Sequence, residues 1–203
     1  MGRTTTLIDH TRRLLAHERR QLASLVLWVT RRTHGVGGTG IAVGYARAQA
    51  PMAYGLVFFC AIETVGVSIM LAPYPVAHLT MLPIDLYTVL LALGLHATAV
   101  TRPHVVGPGG LWIRRGARLD LLIPLDHVAS ARYDLRFPNA NDPEDGVLDV
   151  AIASQTSITI DLTHPVTHVS LLGRRKQVHT VRCHADDPRT AVSAINNLLP
   201  IDR

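Results

Sequence analysis

Two apolar runs decide the fold: residues 53–71, AYGLVFFCAIETVGVSIML, and residues 84–101, IDLYTVLLALGLHATAVT. A helix that crosses a bilayer needs about 20 predominantly apolar residues, and each run approaches that length. Between residues 48 and 101 there is no Lys or Arg, and the only acidic residues are Glu63 and Asp85. The two runs therefore predict a pair of membrane-spanning helices joined as a hairpin.

Prolines predict where the hairpin begins, turns and ends. Pro51 suits the first turn of the first span, and Arg102-Pro103 closes the second span. Three further prolines follow the first run, namely Pro73, Pro75 and Pro83. Because proline breaks or kinks a helix, they predict a turn over residues 72–82.

The distribution of charge predicts an orientation. The first fifty residues hold eight of the Arg residues against two acidic residues, so most of the net charge of +5 lies there. Arg47 precedes the hairpin and Arg102 follows it, whereas the connecting turn has no basic residue. The positive-inside rule then predicts a protein of the cell membrane with both termini in the cytoplasm.

Residues 5–32 have the apolar spacing of an amphipathic helix. Its other face is basic and includes Arg12, Arg13, Arg19 and Arg20. Such a helix commonly lies on an anionic membrane surface, and we expect these four arginines to contact the inner leaflet. The alternative is a solvated helix that packs on the C-terminal part of the chain.

A glycine-rich segment, GVGGTG at residues 35–40, follows this helix. A dinucleotide-binding loop requires a preceding strand and a following helix within a βαβ unit, and the neighbouring sequence supplies neither. The segment is therefore interpreted as a flexible hinge. We expect three parts: residues 1–50 with the basic helix and the hinge, 51–102 with the hairpin, and 103–203 with a cytoplasmic domain.

Beyond residue 103 the apolar pattern changes to the period of two that is typical of strands. Strands are predicted over residues 110–116, 119–123, 127–135, 147–153, 157–162 and 177–184. Asp187-Pro188 predicts the start of a C-terminal helix, with Asp187 as its N-cap. The domain is expected to be α+β, with six or seven antiparallel strands closed by this helix.

Two motifs near the start of the domain, Gly110-Leu111-Trp112-Ile113-Arg114 and Ile123-Pro124-Leu125-Asp126-His127-Val128, resemble the opening hairpin of bacterial pleckstrin-homology-like domains. Residues 161–166, 173–175 and 185–188 are similar to small actinobacterial membrane proteins of unassigned role, which pair a membrane hairpin with such a domain. The resemblance implies a pleckstrin-homology-like barrel or sandwich with a C-terminal helix. It implies no catalytic residue.

Two basic turns of the domain are candidate binding sites. The first is flanked by Arg114, Arg115 and Arg118, and the second by Arg174, Arg175 and Lys176. If both turns face the bilayer, they can bind anionic headgroups; otherwise they are ordinary solvated turns. A nucleic-acid partner is not expected, because aromatic residues for base stacking make up only 5% of the chain.

Glu63 lies near the middle of the first span, where an ionisable residue is costly and a functional candidate. His96, near the cytoplasmic end of the second span, could approach it and relay a proton or bind a cation. Alternatively, a protonated Glu63 bonds to Thr64, Ser68 or a partner helix and specifies packing.

The preferred hypothesis is a non-enzymatic, membrane-anchored binding or scaffold module whose partner is an anionic lipid or a protein. A homo-oligomer is also expected, because two spans leave much apolar surface uncovered. No cofactor is expected, and no set of His and Cys residues has recognised metal-ligand spacing. The alternatives are an intramembrane enzyme or proton- or cation-handling protein centred on Glu63 and His96, and a soluble enzyme with a buried helical hairpin.

Overall fold

The computed structural model describes residues 18–139, 144–169 and 175–199. Its helices are α1 (residues 18–29), α2 (Ala50–Leu71), α3 (Pro75–Thr101) and α4 (Pro188–Asn196). Its strands are β1 (Ile41–Val43), β2 (His104–Gly107), β3 (Gly110–Arg115), β4 (Leu119–Ile123), β5 (Val128–Arg136), β6 (Val147–Val150), β7 (Thr156–Val169) and β8 (Arg175–Cys183).

Helices α2 and α3 pack against each other as a hairpin. The predicted turn over residues 72–82 is wrong, because α3 already begins at Pro75 and only residues 72–74 connect the helices. Pro75 occupies the first turn of α3, where its missing N–H has no helical partner to lose. Pro83 lies inside α3, a position that membrane helices tolerate when the freed backbone groups find other partners.

The surface of the hairpin is apolar. Both helices are long and apolar enough to cross a membrane. Their outward side chains include Met52, Phe58, Phe59, Ile69, Val76 and Leu79, each at least 65% exposed. A soluble protein rarely presents an apolar surface of this extent, which indicates that the hairpin contacts either lipid or another protein.

The strands form two four-stranded sheets, in the orders β1-β2-β3-β4 and β5-β7-β8-β6. The first sheet is antiparallel throughout. The second is mixed, because β6 and β8 are parallel, and the expectation of an all-antiparallel domain is therefore wrong. Among the described residues the two sheets do not join into a closed barrel, so the finer expectation of a pleckstrin-homology-like barrel is not confirmed.

A single apolar core joins both sheets and α4. The fully buried side chains at its centre are Leu111, Ile123, Ile160, Val178 and Val181. Helix α4 adds Ala191 and Ile195 to this core. These contacts confirm the coarse expectation of an α+β domain that ends in a helix. Asp187 caps α4 as predicted, since its carboxylate accepts the Thr190 N–H at 3.2 Å.

The helical hairpin of α2 and α3 is inserted between two neighbouring strands of one sheet. Strand β1 precedes the hairpin and pairs with β2, which follows it, so that Val43 lies opposite His104. Neither strand was predicted. The hinge interpretation of residues 35–40 is incomplete, because the chain enters the β domain directly after this segment. The domain is consequently held at both ends of the hairpin.

Helix α1 packs beside α3. The Trp28 ring meets the His96 ring edge-on with centroids 5.7 Å apart, and Gln21 and Ser24 are buried. The two helices approach at Gly94, where a Cβ would lie at an ordinary contact distance of 3.6 Å from Gln21 Cβ. The solvated-helix alternative placed α1 on the C-terminal domain, whereas the observed contacts are with α3.

Candidate functional site

A cavity of about 430 Å³ lies where the hairpin meets the β domain. Its apolar wall comes from α2 and α3 and includes Met52, Leu56 and Leu95. Its opposite side is the turn between β3 and β4, where Arg115 and Arg118 contribute to the lining. The cavity thus combines hydrocarbon on one side with two guanidinium groups on the other.

A hydrogen bond fixes the β3–β4 turn at the base of the hairpin. The Gly116 N–H donates to Tyr45 Oη at 2.7 Å. Tyr45 is completely buried, and burial raises its pKa to about 12, so the side chain is a neutral phenol at physiological pH. Its ring packs with Ala99 of α3 and Ile152 of the β domain.

The turn also approaches α3 closely. Gly116 has a φ of +53°, and a Cβ at this position would lie 3.3 Å from Thr98 Oγ1. Glycine meets both requirements, because it adopts positive φ readily and leaves room for the helix. The basic residues on either side of Gly116 are therefore held beside the end of α3.

Arg115 and Arg118 are exposed side chains. Among the described residues neither forms an ion pair. Neighbouring protein atoms still shield part of the Arg115 guanidinium from water, and this desolvation lowers its pKa. The nearby charge of Arg118 lowers the pKa further. Two cations that repel each other beside a cavity form a site where an anion would be stabilised.

Arg114 has a different role, although it was predicted with these two residues. Its side chain is buried, and its Nε donates to Asp120 at 3.1 Å. Its Nη1 donates to the His34 carbonyl at 2.9 Å. Glycine suits position 35, because φ is +70° there and a Cβ would lie 2.7 Å from Arg114 Nη2. Arg114 thus joins the glycine-rich segment to β3 and is not available to a ligand.

His104 lies behind the site and is fully enclosed. Its Nδ1 accepts the Arg114 N–H at 2.9 Å, and its Nε2 donates to the His184 carbonyl at 3.0 Å. The ring is therefore neutral, with its proton on Nε2. Burial lowers the pKa of His104 to about 4, so the ring stays neutral across the physiological range. This arrangement supports β3 and carries no exposed chemistry.

The second basic turn does not meet the first. Arg174 lies outside the described residues, and Arg175 is exposed at the start of β8. Lys176 Nζ donates to the carbonyls of Glu144 and Val147. Strand β7 starts near Ile152, at the hairpin end of the domain, and ends opposite Arg175. At the usual rise per residue, the two ends of β7 are up to about 40 Å apart, and so are the two basic turns.

Glu63 and His96 are not brought together either. His96 Nε2 lies 3.1 Å from Tyr54 Oη, and Glu63 is nine residues further along α2, a rise of about 13.5 Å. Glu63 is exposed, and no hydrogen bond or ion pair to it occurs within the described part of the chain.

Neither predicted neighbour of Glu63 in α2 bonds to its carboxylate. The Thr64 hydroxyl donates to the Cys60 carbonyl. Ser68 Oγ lies 2.7 Å from His78 Nε2 of α3. Of the three partners predicted for Glu63, namely Thr64, Ser68 and a partner helix, only the partner helix remains.

The arginines assigned to the membrane surface are only partly covered by the structure. Arg12 and Arg13 lie outside the described residues, whereas Arg19 and Arg20 are exposed on α1. The Arg20 charge acts on Arg102, which directly follows the second span. Arg20 therefore lies near enough to the base of the hairpin for its charge to act on Arg102.

Sequence reasoning found the Arg115–Arg118 turn but missed what it faces. Tyr45, Gln21 and Gln49 were not predicted, and all three line the cavity. The signal that could have located Tyr45 is the strand β1, because its pairing with β2 carries Tyr45 to the turn. That strand has only three residues, too few for a recognisable period.

Within the described residues, His, Cys, Asp and Glu side chains do not gather in a group of three that could hold a metal ion. Comparison of the chain with protein-family models, with curated proteins and with solved structures gave no match.

Proposed function

We propose that this chain is a non-enzymatic, membrane-anchored module that binds an anionic membrane lipid where its hairpin meets its β domain. The hairpin of α2 and α3 crosses the cell membrane, and both termini and the β domain lie in the cytoplasm. The observation that carries the proposal is the cavity with an apolar wall on the hairpin and two guanidinium groups on the domain, those of Arg115 and Arg118, which form no ion pair with the described residues.

The exposure of α2 and α3 supports the membrane anchor. The alternative of a soluble enzyme requires the hairpin to be a buried core, yet Met52 is 82% exposed and Val76 is 80% exposed. Arg47 and Arg102 flank the hairpin at the same end, and residues 72–74 at the other end carry no charge. This asymmetry is typical of a hairpin whose two ends lie in the cytoplasm.

The chemistry of the cavity fits a phospholipid. Such a lipid has an apolar chain and a phosphate that meet at the membrane interface, and the cavity places Leu56 and Leu95 on one side and Arg115 on the other. A basic residue near an anionic surface contributes about 1 kcal/mol to binding. Because Arg115 and Arg118 repel each other, a bound phosphate also relieves that repulsion.

We also propose that the domain is a variant of the pleckstrin-homology-like fold. Seven strands, β2 to β8, followed by the capped helix α4 support this assignment. The parallel pairing of β6 with β8 and the additional strand β1 are departures from the expected pattern. A protein partner and a homo-oligomer stay predictions from the sequence.

Titration of purified protein with short-chain lipids tests the proposal. Protein in a non-ionic detergent is mixed with dioctanoyl phosphatidylglycerol, and binding is measured by native mass spectrometry and by the shift in Tm. We expect saturable binding and a rise in Tm with this lipid, and neither with dioctanoyl phosphatidylcholine. The double substitution Arg115→Gln and Arg118→Gln is expected to weaken binding at this site at least tenfold.

A matched control removes the same charge elsewhere. Arg175 and Arg189 are exposed in the β domain and do not line the cavity, so Arg175→Gln with Arg189→Gln should bind phosphatidylglycerol like the unchanged protein. Equal weakening by both double substitutions would show that only net charge matters, and the proposed site would then be wrong.

A further inference from the structure

The end of α1 has an arginine in a backbone conformation that favours glycine. The Arg31 N–H donates to the Trp28 carbonyl at 3.1 Å, and the Arg32 N–H donates to the Leu27 carbonyl at 2.8 Å. These two bonds are those of a Schellman motif, which ends many helices. Arg31 is the residue after the cap, and its φ is +55°.

Glycine is the usual residue at this point, since a Cβ in the left-handed region is strained. Such strain often accompanies a functional requirement for the side chain. A purely structural reason is also available, because a cation near a helix C-terminus is favourable to the helix dipole. A second observation separates these explanations.

A second cavity, of about 510 Å³, lies at this helix end. Its lining includes Trp28, Val29, Arg31, Arg32 and Val100, and it shares no lining residue with the cavity beside Arg115. Val29 is 77% exposed and Val100 is 39% exposed, so apolar surface lies directly beside the two guanidinium groups. Among the described residues neither arginine forms an ion pair.

We infer that this second cavity is another binding site for an anionic phospholipid, distinct from the site beside Arg115. Arg31 and Arg32 hold the phosphate. The acyl chain lies along Val29 and Val100, and the Trp28 ring lies at the interface between chain and headgroup, where tryptophan is enriched in membrane proteins. The inference rests on the proposed membrane insertion of α2 and α3, but not on lipid binding at Arg115.

The level of this second cavity along α3 agrees with a phospholipid site. Val100 and Thr101 are at the end of α3 that continues into the β domain, and the His34 N–H donates to the Thr101 carbonyl at 2.7 Å. The end of α1 is therefore held at the cytoplasmic end of the second span, where phosphates of the inner leaflet lie. The left-handed backbone at Arg31 positions both arginines at this level.

Counting bound lipids by native mass spectrometry tests the inference. The full chain in detergent is titrated with dioctanoyl phosphatidylglycerol, and we expect two lipids to bind at saturation. Arg31→Gly with Arg32→Gln should bind one, Arg115→Gln with Arg118→Gln should also bind one, and the fourfold variant should bind none. Dioctanoyl phosphatidylcholine should not bind saturably to any of them.

Each remaining outcome decides a specific point. If the Arg31 and Arg32 variant still binds two lipids, the inference is overturned. If that variant loses a lipid while the Arg115 and Arg118 variant binds as many as the unchanged protein, the inference stands and the site at Arg115 is rejected. Competition by glycerol 3-phosphate at equal concentration would show that the headgroup suffices without an apolar chain, which contradicts a phospholipid site.

The single variant Arg31→Gly gives a readout that a helix-dipole role would not. Glycine removes the strain, so we expect the Tm without lipid to stay equal or rise while lipid binding at this site weakens at least threefold. A lower Tm with unchanged binding would assign Arg31 to the helix dipole and overturn the inference. Arg189→Gln is the control for loss of charge, because Arg189 is exposed and lines neither cavity.

Discussion

The Gly116 N–H donates to the Tyr45 hydroxyl at 2.7 Å, and this bond joins the chain just before the first span to the β3–β4 turn. Tyr45 lies between the hairpin and the domain, in contact with Ala99 and Ile152. The bond therefore helps to set where Arg115 lies relative to α2 and α3.

Replacing Tyr45 by Phe removes this hydrogen bond and leaves the Gly116 N–H without its partner. The expected loss is about 1 kcal/mol in the free energy of unfolding, measured by thermal unfolding in detergent. Tyr133→Phe is the control, because Tyr133 is 50% exposed and its substitution should have no measurable effect. Equal stability of the two variants would contradict the role given to Tyr45.

Buried His104 predicts that acid destabilises the domain. Burial lowers its pKa to about 4, below the ordinary value of 6.5, so the unfolded chain binds a proton between these values while the folded chain does not. The contribution of the neutral His104 ring to the free energy of unfolding is fully present above pH 6.5, and it is lost as the pH falls toward 4. Burial also lowers the pKa of His184, which adds to the same trend.

The size of this effect follows from the linkage relation. Between pH 6.5 and 5.0 the loss from His104 is about 2 kcal/mol, at about 1.4 kcal/mol for each pH unit. Urea unfolding at pH 7.0, 6.0 and 5.0 measures it, and His104→Gln should flatten the dependence while lowering stability at pH 7.0. An equally steep dependence in the variant would assign the acid sensitivity to other groups.

The insertion of the hairpin between β1 and β2 predicts that the domain can be closed without it. Val43 lies opposite His104, so replacing residues 44–103 by Asn-Gly would join the strands through a two-residue turn. We expect a protein of residues 38–43, Asn-Gly and 104–199 to unfold cooperatively in the absence of detergent. The fragment 104–199 lacks β1 and should have a lower Tm, and equal Tm values would show that β1 is dispensable.

Glu63 should be dispensable for both lipid sites. It is exposed on α2 and far along the helix from Tyr54, the partner of His96. Glu63→Gln is therefore expected to leave Tm and phosphatidylglycerol binding unchanged, with Tyr54→Phe as the comparison that removes a contact of His96. A proton- or cation-handling function would instead be abolished by Glu63→Gln, which a proton-flux assay in vesicles would detect.

The elements with strong local signals could be predicted from the sequence. The two long apolar helices were found by their length without charge, and the strands from residue 110 onward by their period of two. The start of α4 was found from Asp187 and Pro188. Each of these signals lies within a few consecutive residues, so tertiary contacts are not needed to recognise it.

The remaining features depend on contacts between distant residues. Strand β1 exists because it pairs with β2 across the 60 residues of the hairpin and its flanks, residues 44–103. Pro75 was taken as a helix breaker, although proline in the first turn of a helix is favourable. The basic turn at Arg115 could be predicted, but its position beside Leu95 and Tyr45 follows only from the folded chain.

The accessibility of single cysteines in intact cells tests directly whether α2 and α3 cross the membrane. Burial raises the pKa of Cys183 to about 12, so that thiol is unreactive, and Cys60→Ala removes the other thiol. Tyr74→Cys marks the turn of the hairpin and Arg175→Cys marks the β domain. We predict that a membrane-impermeant maleimide labels position 74 in intact cells and position 175 only after permeabilisation, and that the protein resists a carbonate wash. Release by carbonate, or equal labelling of both positions, would contradict a membrane hairpin with a cytoplasmic domain.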